Sequence, residues 1–185
     1  MLNALHYSHQ LLQQLTQKFP AGNFIDATLG KGNDSQFILQ RAHFHGKLYT
    51  FDIQEAAIAY SLEKLNQFKN FQAFLASHEQ VDQYLPKNLP IHGAIFNLGY
   101  LPGADHQITT QYTSTITAVE KISRQLVSQG MIIIVVYSGH PAGKIERDRL
   151  LEVLKEWSQE EYSILQYNFI NQKNNPPFTL VIEKR

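Results

Sequence analysis

Apolar and polar positions along this chain switch repeatedly between a helical and an extended period. Leu2, Leu5, Leu11, Leu12 and Leu15 recur at helical spacing, with Asn3 placed as a cap and with Pro20 and Gly22 ending the helix. Asn23 to Thr28 reads as a short strand entering a Gly-rich turn, and Asp34 to Ala42 as the helix beyond it. Lys47 to Phe51 is a second strand with Asp52 at its end. In the helix after it, Ala56, Ala57, Ala59, Tyr60, Leu62 and Leu65 supply the apolar face. Phe71 to Leu75 is the third strand and Ile91 to Phe96 the fourth, followed by a loop with Gly99, Pro102 and Gly103 and a helix across Ser114 to Ser128.

Gly130 introduces MIIIVVY, whose continuous β-branched composition fits a strand buried on both faces of a parallel sheet. After the loop from Gly139 to Gly143, a charged helix from Lys144 to Glu156 turns Leu150, Leu151 and Leu154 to the core. Strands at Tyr162 to Ile170 and Phe178 to Glu183 flank the turn-rich NQKNNPP and are expected to form a hairpin. Strand–helix units closed by an antiparallel hairpin predict an α/β fold, a doubly wound, Rossmann-like and mostly parallel sheet, in one domain over residues 1–185. Ligands of such sheets bind beyond the carboxyl ends of the strands, where the strand order switches. Function is therefore expected in the loops after the first, second, fourth and fifth strands.

Composition narrows the chemistry. Hydrophobic residues make up 43% and aromatics 11%, enough to fill a core and too much for a disordered chain. The 16 basic residues balance the 16 acidic ones, so no global field draws the protein to polyanions, although local Lys and Arg residues can still bind one loop of RNA. Without cysteine there is no disulfide, thiolate metal site or thiol nucleophile. The opening residues lack a signal-like apolar stretch, and Met131 to Tyr137 is far shorter than a membrane span, so a cytoplasmic protein with no membrane partner is expected.

The loop after the first strand reads Asp26-Ala27-Thr28-Leu29-Gly30-Lys31-Gly32-Asn33-Asp34-Ser35. Its glycines allow a tight turn and close approach of the backbone to a ligand. The third small position of a dinucleotide fingerprint holds Ser35, a weak match to NAD. An acid just before the turn, Asp26, favours a cofactor bearing positive charge such as S-adenosyl-L-methionine, since a pyrophosphate would meet repulsion. Asp52, at the end of the next strand, can accept hydrogen bonds from ribose hydroxyls. Asn97-Leu98-Gly99-Tyr100 resembles the N-P-P-Y arrangement of amino-group methyltransferases, with Leu98 and Gly99 replacing the prolines. The amide would accept N–H bonds from a target amine, and Tyr100 could stack on a base. A bulge with a packed tyrosine is the alternative.

DATLGKGNDS, FDIQ, ASHE, FNLGYLPG and SGHPAGK, in this order, resemble the small bacterial MnmM-like family of rRNA-methylase-like proteins from about Leu5 to Arg185, with Ser35 where threonine is usual. The resemblance implies a class I methyltransferase fold and S-adenosyl-L-methionine as cofactor. It also implies methyl transfer to the exocyclic amine of 5-aminomethyl-(2-thio)uridine in the tRNA anticodon loop, giving the 5-methylaminomethyl form. By the same resemblance Gly30, Asn33 and Asp34 would lie by the methionine moiety, Asp52 and Gln54 by the ribose and adenine edge, and Ser77 with His78 beside the adenine, with Asp26 and Gly32 also counted as cofactor-binding. Asn97, Gly99 and Tyr100 would face the transferable methyl and the substrate. Alternatives are another RNA base, a small-molecule amine, or a nucleotide-binding module without chemistry.

His140 is a candidate for contacting substrate or accepting a proton, with loop or helix capping as the alternative. The remaining histidines, His6, His9, His43 and His45 among them, show no metal-ligand spacing and are read as surface or packing residues. Gly139 to Ile145 is one residue short of a Walker A spacing and lacks its Ser/Thr, which disfavours a P-loop. Lys121, Arg124, Lys144, Arg147, Arg149 and Lys173 are the local cations for RNA contact, and a homodimer would enlarge the surface offered to it.

Overall fold

Side chains of the most hydrophobic strand, β5 (Leu126–Val136), fill two cores at once. Ile132, Ile134 and Val136 point into one apolar cluster and Ile133 and Val135 into the other, all at 0% exposure. Full burial on both faces is what the continuous β-branched run requires, since successive side chains alternate across a sheet. The computed structural model describes residues 1–98, 112–139 and 141–185.

Around β5 stand β1 (Asn23–Asp26), β2 (Lys47–Asp52), β3 (Phe71–Leu75), β4 (Ile91–Leu98), β6 (Tyr162–Tyr167) and β7 (Phe178–Lys184), in the order β3-β2-β1-β4-β5-β7-β6. β1 to β5 run parallel, and β7 is antiparallel to both β5 and β6. The expected hairpin is present, pairing Tyr162 with Lys184 through Tyr167 with Thr179. β1 lies between β2 and β4, so the strand order reverses there and opens a crevice at the carboxyl ends of β1 and β4.

Helices α1 (Ala4–Lys18) and α2 (Asn33–Leu39) contribute to the core cluster that also holds Phe24, Leu48, Ile95 and Val181. α5 (Tyr112–Gln125) and α6 (Pro141–Lys155) contribute to the other, and α3 (Glu55–Lys64) and a single turn, α4 (Val81–Tyr84), complete the set. Asn3 caps α1, its Oδ1 accepting from the His6 N–H at 2.8 Å. The buried stripe of α1 is Ala4, Ser8, Leu11, Leu12, Leu15 and Thr16, while Leu2 and Leu5 are exposed. Ser8 and Thr16 enter the stripe because their hydroxyls bond back to the carbonyls of Leu5 and Leu12.

Several boundaries differ from the sequence reading. α2 stops at Leu39 instead of Ala42, and α6 begins at Pro141, three residues before Lys144. The helix expected to reach Ser128 ends at Gln125, because Gln129 takes a left-handed φ of 64° and Leu126 already pairs with Ile91 in the sheet. β6 ends at Tyr167, not Ile170, where the Tyr167 ring stacks on Tyr7 at 4.1 Å and its hydroxyl donates to the Leu2 carbonyl. On α3 the buried side chains are Ala57 and Ser61, followed by Leu65, and Ala56, Ala59, Tyr60 and Leu62 face outward. Among the described residues no helix is long and apolar enough to cross a membrane.

Candidate active site

The crevice is built outward from the carboxyl end of β1. Asp26, the last residue of that strand, is wholly buried. Its Oδ1 accepts from the Thr28 N–H at 3.1 Å and its Oδ2 from the Ser35 hydroxyl at 2.6 Å. Burial pushes the carboxyl from 3.8 to about 7, and the charges of Asp34 and then Asp52 add to the push while the two hydrogen bonds oppose it. The Ser35 hydroxyl, from the first turn of α2, is thus what ties Asp26 to that helix.

Between Asp26 and α2 the backbone turns through Gly30 (φ 49°) and Gly32 (φ 67°), both left-handed. A Cβ on Gly32 would lie 2.9 Å from the Ser61 hydroxyl. α3 braces this turn: Ser61 donates to the Gly30 carbonyl at 3.0 Å, and Lys64 donates to the Lys31 carbonyl at 2.9 Å and to the Asn33 side chain at 2.7 Å. At the end of β2, Asp52 accepts from the Gly30 N–H at 2.8 Å and from the Gln54 N–H at 2.9 Å. One half-buried carboxylate thus ties the glycine turn to the start of α3.

After β3 a 3-10 turn, His78–Gln80, follows Ser77 and carries His78 to the same crevice. His78 Nδ1 lies 3.0 Å from the Ala27 carbonyl, an acceptor only, so Nδ1 bears the proton and Nε2 is a bare acceptor. Burial lowers the pKa of this ring, which keeps it neutral. Nε2 is buried and has no hydrogen-bond partner among the described residues.

β4 extends two residues beyond its expected end, so Asn97 stands on the strand itself. Its backbone N–H donates to the Thr28 hydroxyl at 2.8 Å, locking the β4 end to the β1 loop. Its side-chain Nδ2 donates to Asp34 Oδ2 at 3.1 Å. The other oxygen of the buried Asp34 meets His9 Nε2, from α1, at 2.6 Å. The His9 ring stacks on Phe37 with centroids 4.2 Å apart. Beyond β5, burial and the Asp34 charge raise the pKa of the Tyr137 phenol and hold it neutral.

The structure therefore gathers Asp26, Gly30, Gly32, Asn33, Asp34, Asp52, Gln54, His78 and Asn97 around one turn, with Ser77 adjoining His78. Gly99, Tyr100 and His140 lie outside the described residues. His9, read as a surface or packing residue, packs on Phe37 with its side chain 22% exposed and in addition bonds Asp34, a partner the sequence reading did not name. Only the packing of α1 against α2 brings it there, and no local pattern signals it. Ser61 and Lys64 were also missed, although a serine on the buried stripe of α3 was a readable sign of a partner. Of the expected RNA-contacting cations, Lys121 pairs with Asp82, Arg147 with Asp148 and Arg149 with Glu152, so those charges are locally balanced.

A parallel sheet with an antiparallel β7 between β5 and β6, a glycine turn after β1 and an acid at the end of β2 define the class I methyltransferase fold. Within that class the chain belongs to the family described as "Putative rRNA methylase", which matches residues 48–183. A putative rRNA-methylase from Clostridium thermocellum shares 34% identity and superposes with a TM-score of 0.94, over 100% of this chain and 99% of that one. A putative methyltransferase from Streptococcus mutans, solved in complex with SAH, is 38% identical with a TM-score of 0.87, again over 100% and 99% of the two chains. The chloroplastic tRNA (mnm(5)s(2)U34)-methyltransferase of Arabidopsis thaliana is 33% identical over 154 residues, which span 77% of this chain and 56% of that relative.

Proposed function

We propose that this chain is an S-adenosyl-L-methionine-dependent methyltransferase acting on tRNA. Its substrate in this reading is the exocyclic amine of 5-aminomethyl-(2-thio)uridine at the wobble position of the anticodon loop, and its product the 5-methylaminomethyl form. The observation that carries the reading is the convergence of Asp26, Asp34 and Asp52 on the Gly30–Gly32 turn, with Asn97 joined to it from β4. The name of the Arabidopsis relative supports the tRNA substrate.

The donor set fits that cofactor better than a dinucleotide. A turn ringed by carboxylates suits an ammonium and a sulfonium and opposes a pyrophosphate. Gly30, Gly32, Asn33 and Asp34, with Asp26 beneath them, would receive the methionine end. Asp52 and Gln54 would receive the ribose, and Ser77 and His78 the adenine. The buried His78 Nε2, without a partner among the described residues, is an acceptor that an adenine N–H would satisfy.

When bound, S-adenosyl-L-methionine supplies an electrophilic methyl group. An alkyl amine attacks only through its lone pair, so the site must take it up neutral or strip its proton. Asn97 would orient that amine by accepting one N–H, leaving the lone pair free for in-line attack. Gly99 and Tyr100 would complete the substrate side, Tyr100 by stacking on the base, and His140 would contact the substrate or take the proton. The exposed Arg124, Lys144 and Lys173 would meet phosphates.

The family's description favours a second reading, with rRNA as the substrate. Incubating the protein and methyl-labelled S-adenosyl-L-methionine with tRNA that carries the 5-aminomethyl precursor at the wobble position and, separately, with ribosomal subunits distinguishes them. Label in tRNA is expected, label confined to rRNA would support the second reading, and tight binding of NAD without binding of S-adenosyl-L-methionine would overturn both.

A further inference from the structure

The Asp34 carboxylate is shared between two side chains brought from opposite directions in the sequence. Oδ1 meets His9 Nε2 at 2.6 Å, and Oδ2 accepts from Asn97 Nδ2 at 3.1 Å. A carboxylate only accepts, so Asn97 must present its NH2 to Asp34, and its carbonyl oxygen is left pointing elsewhere. Among the described residues that oxygen has no donor. The orientation of the amide, and hence whether the site offers an acceptor or a donor to an incoming amine, is set by where Asp34 sits.

Asp34 is in turn steadied by His9. The carboxylate is 6% exposed and lies within reach of the charges of Asp26 and Lys64 and of the Tyr137 phenol, so without a partner on Oδ1 it has reason to turn toward another donor. The His9 ring has little freedom of its own. It lies 20° from parallel to Phe37, and the Arg41 guanidinium, two residues past the end of α2, sits 4.2 Å from the Phe37 centroid. A ring clamped by stacking is a fixed donor.

We propose that His9 is a positioning residue for methyl transfer: through Asp34 it fixes the Asn97 amide with Nδ2 held by the protein and Oδ1 presented to the substrate amine. The inference rests on the proposed amine-methylating function, and it makes α1 part of the active site. His9 acts chiefly on the orientation of the nucleophile, and because Asp34 would also receive the methionine end, a smaller loss of cofactor affinity accompanies it.

The test uses two substitutions and two readouts. His9→Phe keeps a ring to stack on Phe37 and removes the donor, and His9→Gln restores a side-chain N–H. In steady-state methylation of tRNA, His9→Phe is expected to lower kcat by about 10- to 100-fold, the range for a lost charge-assisted hydrogen bond. Its affinity for S-adenosyl-L-methionine should fall by clearly less than kcat does, because Asp34 is one of several groups that would hold the methionine end. His9→Gln should recover most of the loss. Wild-type kcat in His9→Phe, equal impairment in both variants, or an equal loss of cofactor affinity would each overturn the proposal. A crystal structure of His9→Phe decides it independently of activity: Asp34 turned away from Asn97 supports it, and an unmoved Asp34–Asn97 hydrogen bond refutes it. Inactivity of the wild type toward tRNA would instead reject the substrate assignment and leave that structural outcome to judge His9.

Discussion

Replacing Asp26 with asparagine isolates the electrostatic cost of placing an acid at the end of β1. The side chain is fully buried and holds two local hydrogen bonds, from the Thr28 N–H at 3.1 Å and the Ser35 hydroxyl at 2.6 Å. Asparagine keeps the shape, accepts from Thr28 through its oxygen, and can donate to Ser35 through its nitrogen. What it removes is the charge. A carboxyl raised from 3.8 to about 7 binds its proton more tightly in the folded chain than in the unfolded one. Its contribution to stability is therefore complete below pH 4 and is lost as pH rises through about 7. The rise of about three units corresponds to roughly 4 kcal/mol, an upper bound for so buried a group. Urea unfolding of both proteins across that range should show near-equal stability in acid, and a growing advantage of Asp26→Asn, up to roughly 4 kcal/mol, above neutrality. A stability difference independent of pH, or an asparagine variant less stable in alkali, would refute the reasoning. The same variant should bind S-adenosyl-L-methionine more weakly, because the wild-type charge is held at the turn for a cationic ligand.

Other expectations follow from the same geometry. Gly32→Ala places a Cβ 2.9 Å from the Ser61 hydroxyl at a φ of 67°, and should cost about 1–3 kcal/mol in urea unfolding together with cofactor affinity in calorimetry. Asp52→Ala should weaken S-adenosyl-L-methionine binding by about 10-fold or more, whereas Asn97→Ala should chiefly lower kcat, a division that equal loss of cofactor affinity in both would contradict. Because Lys121, Arg147 and Arg149 are already paired, tRNA binding should be only modestly salt-dependent, with a slope of about −2 to −3 in a plot of log K against log salt. A slope several times steeper would point to a broad phosphate-coating surface instead.

The sheet was legible in the chain because its strongest signals coincide with its most buried parts. MIIIVVY, with residues on both faces at 0% exposure, could only be an interior strand, and the turn-rich NQKNNPP between two apolar runs gave the hairpin. Helix surfaces were less readable. On α3 the apolar residues Tyr60 and Leu62 face outward while Ser61 turns inward, since a bond to the Gly30 carbonyl outweighs the hydrophobic pattern there. The glycine loop was legible for a related reason: Asp26 and Asp52 end β1 and β2, and Gly30 and Gly32 take left-handed φ in the turn after β1, where backbone geometry dictates the residue type. His9 was not legible. It lies 25 residues from Asp34, on a helix with no glycine, acid or motif to mark it, and only the packing of α1 beside α2 brings the two together.

Nucleoside mass spectrometry tests the central claim most directly. tRNA carrying the 5-aminomethyl precursor at the wobble position is incubated with the protein and S-adenosyl-L-methionine, then digested. The account predicts disappearance of the aminomethyl nucleoside and appearance of its methylaminomethyl product, one methylene equivalent heavier. An unchanged precursor in the presence of bound cofactor would contradict it.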